Sequence, residues 1–213
     1  MYKKLFNVLF NVYKKFIINL KRLLNKSTFK RKFNNSEKLK IIIGAAEKHY
    51  KDWISAEKYF FNIILEKDWH KFFSKRLIDA LLAEHVWEHL TLEEGKLAAK
   101  LCFKYLNEGG YIRLAVPDGL FPDEQYIQRV MTGVDDHKVL YTYKTFTNIF
   151  EEAGFQVDLL EYFDEKGNFH FKEWYPVDGM IKRSKRFDPR NQNCLEYTSI
   201  IIDAIKPIHK DKE

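Results

Sequence analysis

Gly44-Ala45-Ala46 directly follows the apolar run Ile41-Ile42-Ile43. This is where dinucleotide- and nucleoside-binding folds place glycines, because bare backbone can approach a ligand closely. Glu57 closes the next short apolar run, Trp53-Ile54-Ser55-Ala56. A carboxylate at such a tip can accept both hydroxyls of a ribose. Glu84 and His85 end a third run, Leu77 to Ala83, and Asp118 follows Val116-Pro117 at the end of a fourth. Asp135-Asp136-His137 offers a general base, since an unperturbed imidazole titrates near neutral pH. The spacing predicts that this triplet precedes a helix. Arg183, Arg186 and Arg190 lie within eight residues with Asp188 among them, and their fork-shaped cations suit phosphate or carboxylate.

His85-Val86-Trp87-Glu88-His89 matches the H-x-x-E-H pattern of one class of zinc peptidases. That chemistry needs both histidines on one helical turn and a further ligand beyond it. Here the motif starts at a strand end and no distal ligand is evident, so no metal is expected. Glu88 and His89 are expected instead to open the next helix, where a carboxylate suits the positive N-terminal end.

The elements that must hold these residues follow from the apolar periodicity. Strands are expected at Ile41–Ile43, Trp53–Glu57, Leu77–Ala83, Tyr111–Val116, Phe155–Phe163 and Glu196–Ile205. Helices are expected at Leu92–Leu106, ended by Gly109-Gly110, and at Tyr143–Ala153, ended by Gly154. Alternating strands and helices imply an α/β fold with a largely parallel sheet, whose ligands bind at the carboxyl ends of the strands.

The chain has 213 residues and a formal charge of +6, unevenly placed. Residues 1–35 carry ten basic side chains and no acidic one, and the remaining 178 carry 26 basic and 30 acidic ones. Leu5, Leu9, Phe10, Val12, Phe16, Ile17, Leu20, Leu23 and Leu24 alternate with lysines and asparagines at helical spacing. This describes a basic amphipathic N-terminal helix. Lys14 and Lys15 break the apolar core that a secretory signal needs. A linker is expected from Lys30 to Lys40, so residues 1–35 read as an arm and 36–213 as one domain. The arm suits an anionic membrane surface or a protein partner, and the acidic body argues against nucleic acid. The two cysteines, Cys102 and Cys194, lie far apart, which fits a reducing, cytoplasmic setting, and the arm adds the expectation of peripheral contact with the inner face of the membrane.

Taken together, these stretches resemble a class I methyltransferase dependent on S-adenosyl-L-methionine, in particular a small bacterial group related to the type 11 family. The resemblance spans about residues 38–207. It rests on Lys40 to Ala45, Asp52 to Glu57, Asp79 to Leu90, Tyr105 to Asp118, Asp136 to Phe155 and Asp178 to Asn191. It implies a Rossmann-like fold, Gly44 and Ala46 against the methionine moiety, Glu57 on the ribose, and Glu84 and His85 bordering the cofactor. Asp118, His137 and Tyr141 would face the acceptor, His137 being the first candidate base and Asp118 the second. The loop of Arg183, Arg186 and Arg190 would lie over a small-molecule or glycan-type acceptor. The family's first turn usually reads Gly-x-Gly, and Ala46 replaces its second glycine. The added methyl group weighs against cofactor binding, and the alternative is a non-catalytic scaffold of the same fold.

Overall fold

The computed structural model describes residues 2–46 and 48–209, with side chains from Phe10 and from Tyr13 onward. The chain divides into two compact units, Met1–Glu37 and Lys38–Glu213.

The first unit is one helix, α1 (Tyr2–Asn35). It includes Lys30 to Asn35, where a linker was expected: Lys and Arg are good helix formers, and Ser36 closes the last turn through a 2.7 Å bond from its hydroxyl to Lys32 O. Tyr13, Phe16, Ile17, Leu20, Leu23 and Leu24 are all exposed. The expected apolar positions Leu5, Leu9 and Val12 lie outside the described side chains. No helix among the described residues is long and apolar enough to cross a membrane.

The second unit is built on a seven-stranded sheet. Its strands are β1 (Lys40–Ile43), β2 (Ile54–Ala56), β3 (Ile78–Glu84), β4 (Leu106–Pro117), β5 (Gln156–Phe163), β6 (Phe169–Phe171) and β7 (Ser199–Ile205). They lie in the order β2-β1-β3-β4-β7-β5-β6. The pairings β2·β1, β1·β3 and β3·β4 are parallel, and β7 runs antiparallel to both of its neighbours. Five of the seven strands therefore run one way. The expected α/β architecture holds in this form. β1 and β3 are nearly continuous apolar runs, as strands covered on both faces must be, and Ile41, Ile43, Leu81 and Ala83 are all buried.

The helices are α2 (Glu66–Phe73), α3 (Leu92–Tyr105), α4 (Glu124–Val130) and α5 (Tyr143–Glu151). α3 opens with a capping box, in which the Thr91 hydroxyl accepts from Glu94 N and the Glu94 carboxylate accepts from Thr91 N. Gly109-Gly110 does not end that helix. α3 stops at Tyr105 and the glycines sit inside β4, where the register against β3 shifts between Ile78↔Leu106 and Ala80↔Tyr111. Gly109 there has φ +73°, and a Cβ on Gly110 would stand 2.9 Å from Asn107 O. The bulge, not a cap, requires glycine.

Arg113 on β4 is buried and faces Asp203 on β7 in register. It donates to both oxygens of that carboxylate at 2.8 and 2.7 Å, and to Tyr175 O and Gly179 O at 2.9 Å each. Buried Glu161 on β5 accepts from Trp174 Nε1, Lys185 N and the Thr198 hydroxyl at 2.9, 2.8 and 2.6 Å. These two side chains tie the irregular segment between β6 and β7 onto the sheet.

Candidate functional site

A cavity of about 650 Å³ opens at the carboxyl ends of β1, β2 and β3, a volume in the range of small-molecule sites. Gly44 and Ile43 form its floor, Lys58, Phe61, Asn62 and Ile63 line the β2 side, and His85, His89, Asp136, His137 and Lys138 line the other. Ile43 pairs with Ala56, so the next residues, Gly44 and Glu57, leave the two strand tips side by side.

Gly44 cannot be another residue without cost. Its φ is +58°, and a Cβ there would stand 2.9 Å from Val86 Cγ2. Ala46 adopts φ +45°, a left-handed conformation that a glycine would hold at no penalty. The turn thus keeps glycine-like geometry despite the methyl group. Ala45 N donates to Ala56 O at 3.3 Å, which fastens the turn to the β2 tip.

His85 leaves β3 with φ +58°, its amide donating to Ala115 O at 2.8 Å. Its Nε2 lies 3.1 Å from the Ser199 hydroxyl. Burial, reinforced by the nearby Arg183 cation, holds its pKa well below the ordinary imidazole value, so the ring is neutral at neutral pH. Its Nδ1 stands 2.9 Å from Glu88 Oε1, but off the line of a hydrogen bond, and neither oxygen of buried Glu88 accepts one. Burial raises the Glu88 pKa to about 7.

Glu88 and His89 do not open α3. They belong to a separate 3-10 turn, Trp87–His89, and Thr91 caps the helix instead. Nor does Asp135-Asp136-His137 cap a helix. Asp135 and Asp136 are both left-handed, with φ +47° and +62°, and Thr142 caps α5. The two loops are joined, since Lys138 N donates to Glu88 O at 2.7 Å. That bond sets His137 against the 3-10 turn, with its ring 5.0 Å from that of His89. His137 Nδ1 lies 2.9 Å from Val130 O. A carbonyl only accepts, so Nδ1 carries a proton, and Nε2 is the nitrogen left for another partner.

Of the expected site residues, Gly44, His85 and His137 line the cavity, and Ala46 and Glu57 flank it at the β1 and β2 tips without lining it. The others are engaged elsewhere. Glu84 is buried, with its two oxygens accepting from Lys48 Nζ at 2.7 Å and Arg183 N at 2.8 Å. Asp118 is fully buried, its Oδ1 taking Leu120 N and its Oδ2 Phe163 N. It organises the turn after β4 and does not line the cavity. Tyr141 is buried, and a Cβ on Gly95 would stand 3.4 Å from its hydroxyl. Arg190 is engaged by both oxygens of Asp188 and lies 3.6 Å over the Tyr197 ring, while Arg186 reaches Glu173. The Arg183 guanidinium makes no ion pair or hydrogen bond among the described residues, and none of the three arginines lines the cavity.

His89 and Glu88 carry more of the site than the sequence suggested, and Lys58, Phe61 and Asn62 had no signal beyond following the β2 tip.

No family model matches this chain, and no curated protein matches it either. Among solved structures it is similar to an S-adenosylmethionine-dependent methyltransferase from Archaeoglobus fulgidus, at 15% identity over 86% of this chain and 93% of that one, with a TM-score of 0.44. A methyltransferase from Thermotoga maritima is similar at 13% identity over 92% and 98%, with a TM-score of 0.45. The apo form of the methyltransferase SibL is similar at 10% identity over 90% and 57%, with a TM-score of 0.46.

Proposed function

We propose that the body binds S-adenosylmethionine in the cavity at the ends of β1–β3 and transfers a methyl group to a small polar or glycan-related acceptor. The observation that carries this reading is the β1 turn. Gly44 is left-handed with no room for a Cβ, Ala46 keeps the same hand, and Glu57 stands beside them at the β2 tip. In that cradle a nucleoside-bearing ligand would carry its ribose toward Glu57, at the edge of the cavity, and its methionine end toward Gly44.

The bound cofactor would supply a methyl group on an already activated sulfonium. The chain would then align the acceptor with that carbon at roughly 3 Å and manage one proton. His137, which lines the cavity with its Nδ1 held by Val130 O, is the group placed to take that proton. The sequence resemblance to the type 11 group supports the same assignment.

Calorimetry with S-adenosylmethionine and S-adenosylhomocysteine tests the proposal. Micromolar binding that weakens at least about tenfold in Glu57→Ala is expected, a loss of about 1.4 kcal/mol. No detectable binding to the full-length chain would remove the reading.

We also propose that α1 works at an anionic membrane surface. Residues 1–35 hold ten basic and no acidic side chains, and the exposed Tyr13, Phe16, Leu20, Leu23 and Leu24 offer apolar area to the headgroup boundary.

A further inference from the structure

Two features of the acceptor side of the cavity have no role in binding a nucleoside. One is Glu88, a carboxylate 1% exposed that makes no well-aligned hydrogen bond and has His85 Nδ1 as its near neighbour, 2.9 Å from Oε1. A buried carboxylate in that state is costly unless it takes up a proton or a cation answers it. The other is the pair His89 and His137. Glu88, His89 and His137 each bring one ligand atom to within 4.8 Å of the other two.

We propose that these three side chains bind one divalent first-row transition-metal ion, such as zinc, with the remaining coordination position open to the cavity. Three observations carry the assignment. Two imidazoles and one carboxylate form a donor set that such ions favour, and three protein ligands with a vacant position are the pattern of a working site, not a structural one. The second nitrogen of His137 is held by Val130 O at 2.9 Å, the outer bond that typically orients a metal-bound imidazole and fixes its tautomer. The third observation is rigidity: Lys138 N on Glu88 O at 2.7 Å joins the two ligand-bearing loops. Bonds of about 2.0–2.2 Å need ligand atoms somewhat closer together than 4.8 Å. His89 is exposed and can turn toward the other two ligands.

The proposal rests on the geometry of these three residues and stands apart from the methyltransferase reading. Within that reading it changes one role. Such an ion would make an acceptor hydroxyl on it more acidic, its proton going to solvent, and His137 would hold the ion instead of serving as the base.

The test uses the full-length chain, purified through a tag without histidines and without chelator. Elemental analysis is expected to find about one equivalent of a first-row divalent metal. After stripping, titration with Co²⁺ should produce visible d–d absorption that saturates at one equivalent. Apparent affinity should fall at least about tenfold in His89→Ala and in His137→Ala. His89→Ala removes an exposed side chain, so its unfolding temperature without metal should match that of the stripped parent, which separates ligand loss from misfolding. Absence of the Co²⁺ band, or an affinity unchanged by His89→Ala, would overturn the proposal. Calorimetry with S-adenosylmethionine on the same stripped protein reads the other assignment independently: cofactor binding without cobalt binding sinks the metal site alone, and the converse sinks the methyltransferase reading alone.

Discussion

Gly44→Ala tests whether the β1 turn is held open for a ligand by sterics as well as by conformation. Two costs add. Alanine at φ +58° pays about 1–2 kcal/mol for the left-handed backbone, and its Cβ, 2.9 Å from Val86 Cγ2, adds about 1–3 kcal/mol of overpacking. The lower entropy of the unfolded alanine chain returns about 0.4–1 kcal/mol. The expected loss is therefore about 2–4 kcal/mol, or about 4–16 °C in unfolding temperature for a domain of this size. Urea denaturation of the parent, Gly44→Ala, Val86→Ala and the double variant forms a closed cycle. Val86→Ala removes the clashing methyl, so the double variant should regain about 1–3 kcal/mol relative to the sum of the singles, while the backbone cost persists. A Gly44→Ala loss below about 0.5 kcal/mol, or one with no coupling to Val86, would refute this account of the turn.

Ala46→Gly should be neutral or stabilising by up to about 1 kcal/mol, since relief of the left-handed strain exceeds the entropy that glycine adds to the unfolded chain; a clear loss in thermal unfolding would mean the Ala46 methyl is packed. Burial lifts the Asp118 carboxyl to about 6, so the folded state holds its proton more tightly than the unfolded chain, and stability from this group falls as pH rises from about 4 to 6. Asp118→Asn should therefore lose ground at pH 4 and recover about 2 kcal/mol relative to the parent by pH 7; parallel stability curves over that range would contradict it. Arg113→Met should cost about 3–5 kcal/mol by stranding Asp203, and Arg113→Met with Asp203→Leu should recover most of it, an outcome that denaturant titration reads directly. Removal of residues 1–35 should abolish co-sedimentation with anionic liposomes and leave S-adenosylmethionine binding intact; unchanged sedimentation would end the membrane assignment of α1.

What the sequence made legible was local. The run Ile41-Ile42-Ile43 ending in Gly44 needs only a buried strand and a turn that no side chain fits, and both are set within a few residues. The direction of β7 was not legible in the same way. Ile200, Ile201 and Ile202 are fully buried, and a strand covered on both faces reads as a parallel one. What reverses β7 is the path of the chain from the β5–β6 hairpin through the segment that Arg113 and Glu161 anchor. Gly109-Gly110 misled for a related reason: a glycine pair after a helical pattern signals an exit, and only pairing with β3 shows that the extra residues form a bulge. Glu84 and Asp118 were placed at strand ends, but which backbone amides would claim their oxygens depends on Arg183 and Phe163, far along the chain. The approach of His137 to Glu88 and His89 likewise depends on the bond from Lys138 N to Glu88 O, which no local pattern announces.

The non-glycine residues with left-handed backbone are Ala46, Asp52, His85, Asp135 and Asp136 among the described residues. His85 and Asp136 line the cavity, and Ala46 and Asp135 lie within two residues of its lining. A non-glycine residue in this region costs about 1–2 kcal/mol, so four such positions around one opening represent several kcal/mol that ordinary turns would have avoided. The strain has a consistent geometric effect. At His85 it turns the chain sharply off β3, so that Val86 closes over Gly44 and Glu88 comes under the opening. At Asp135 and Asp136 it returns the chain so that His137 reaches the same place. Relieving it at one position should loosen the constellation before it loosens the fold, because Trp87, Leu114 and Phe146 hold the surrounding core without it. For Asp136→Gly, the expected result is a neutral or slightly raised unfolding temperature together with Co²⁺ affinity weakened several-fold. Equal or tighter cobalt binding in that variant would show that the strained loop does not preorganise the site.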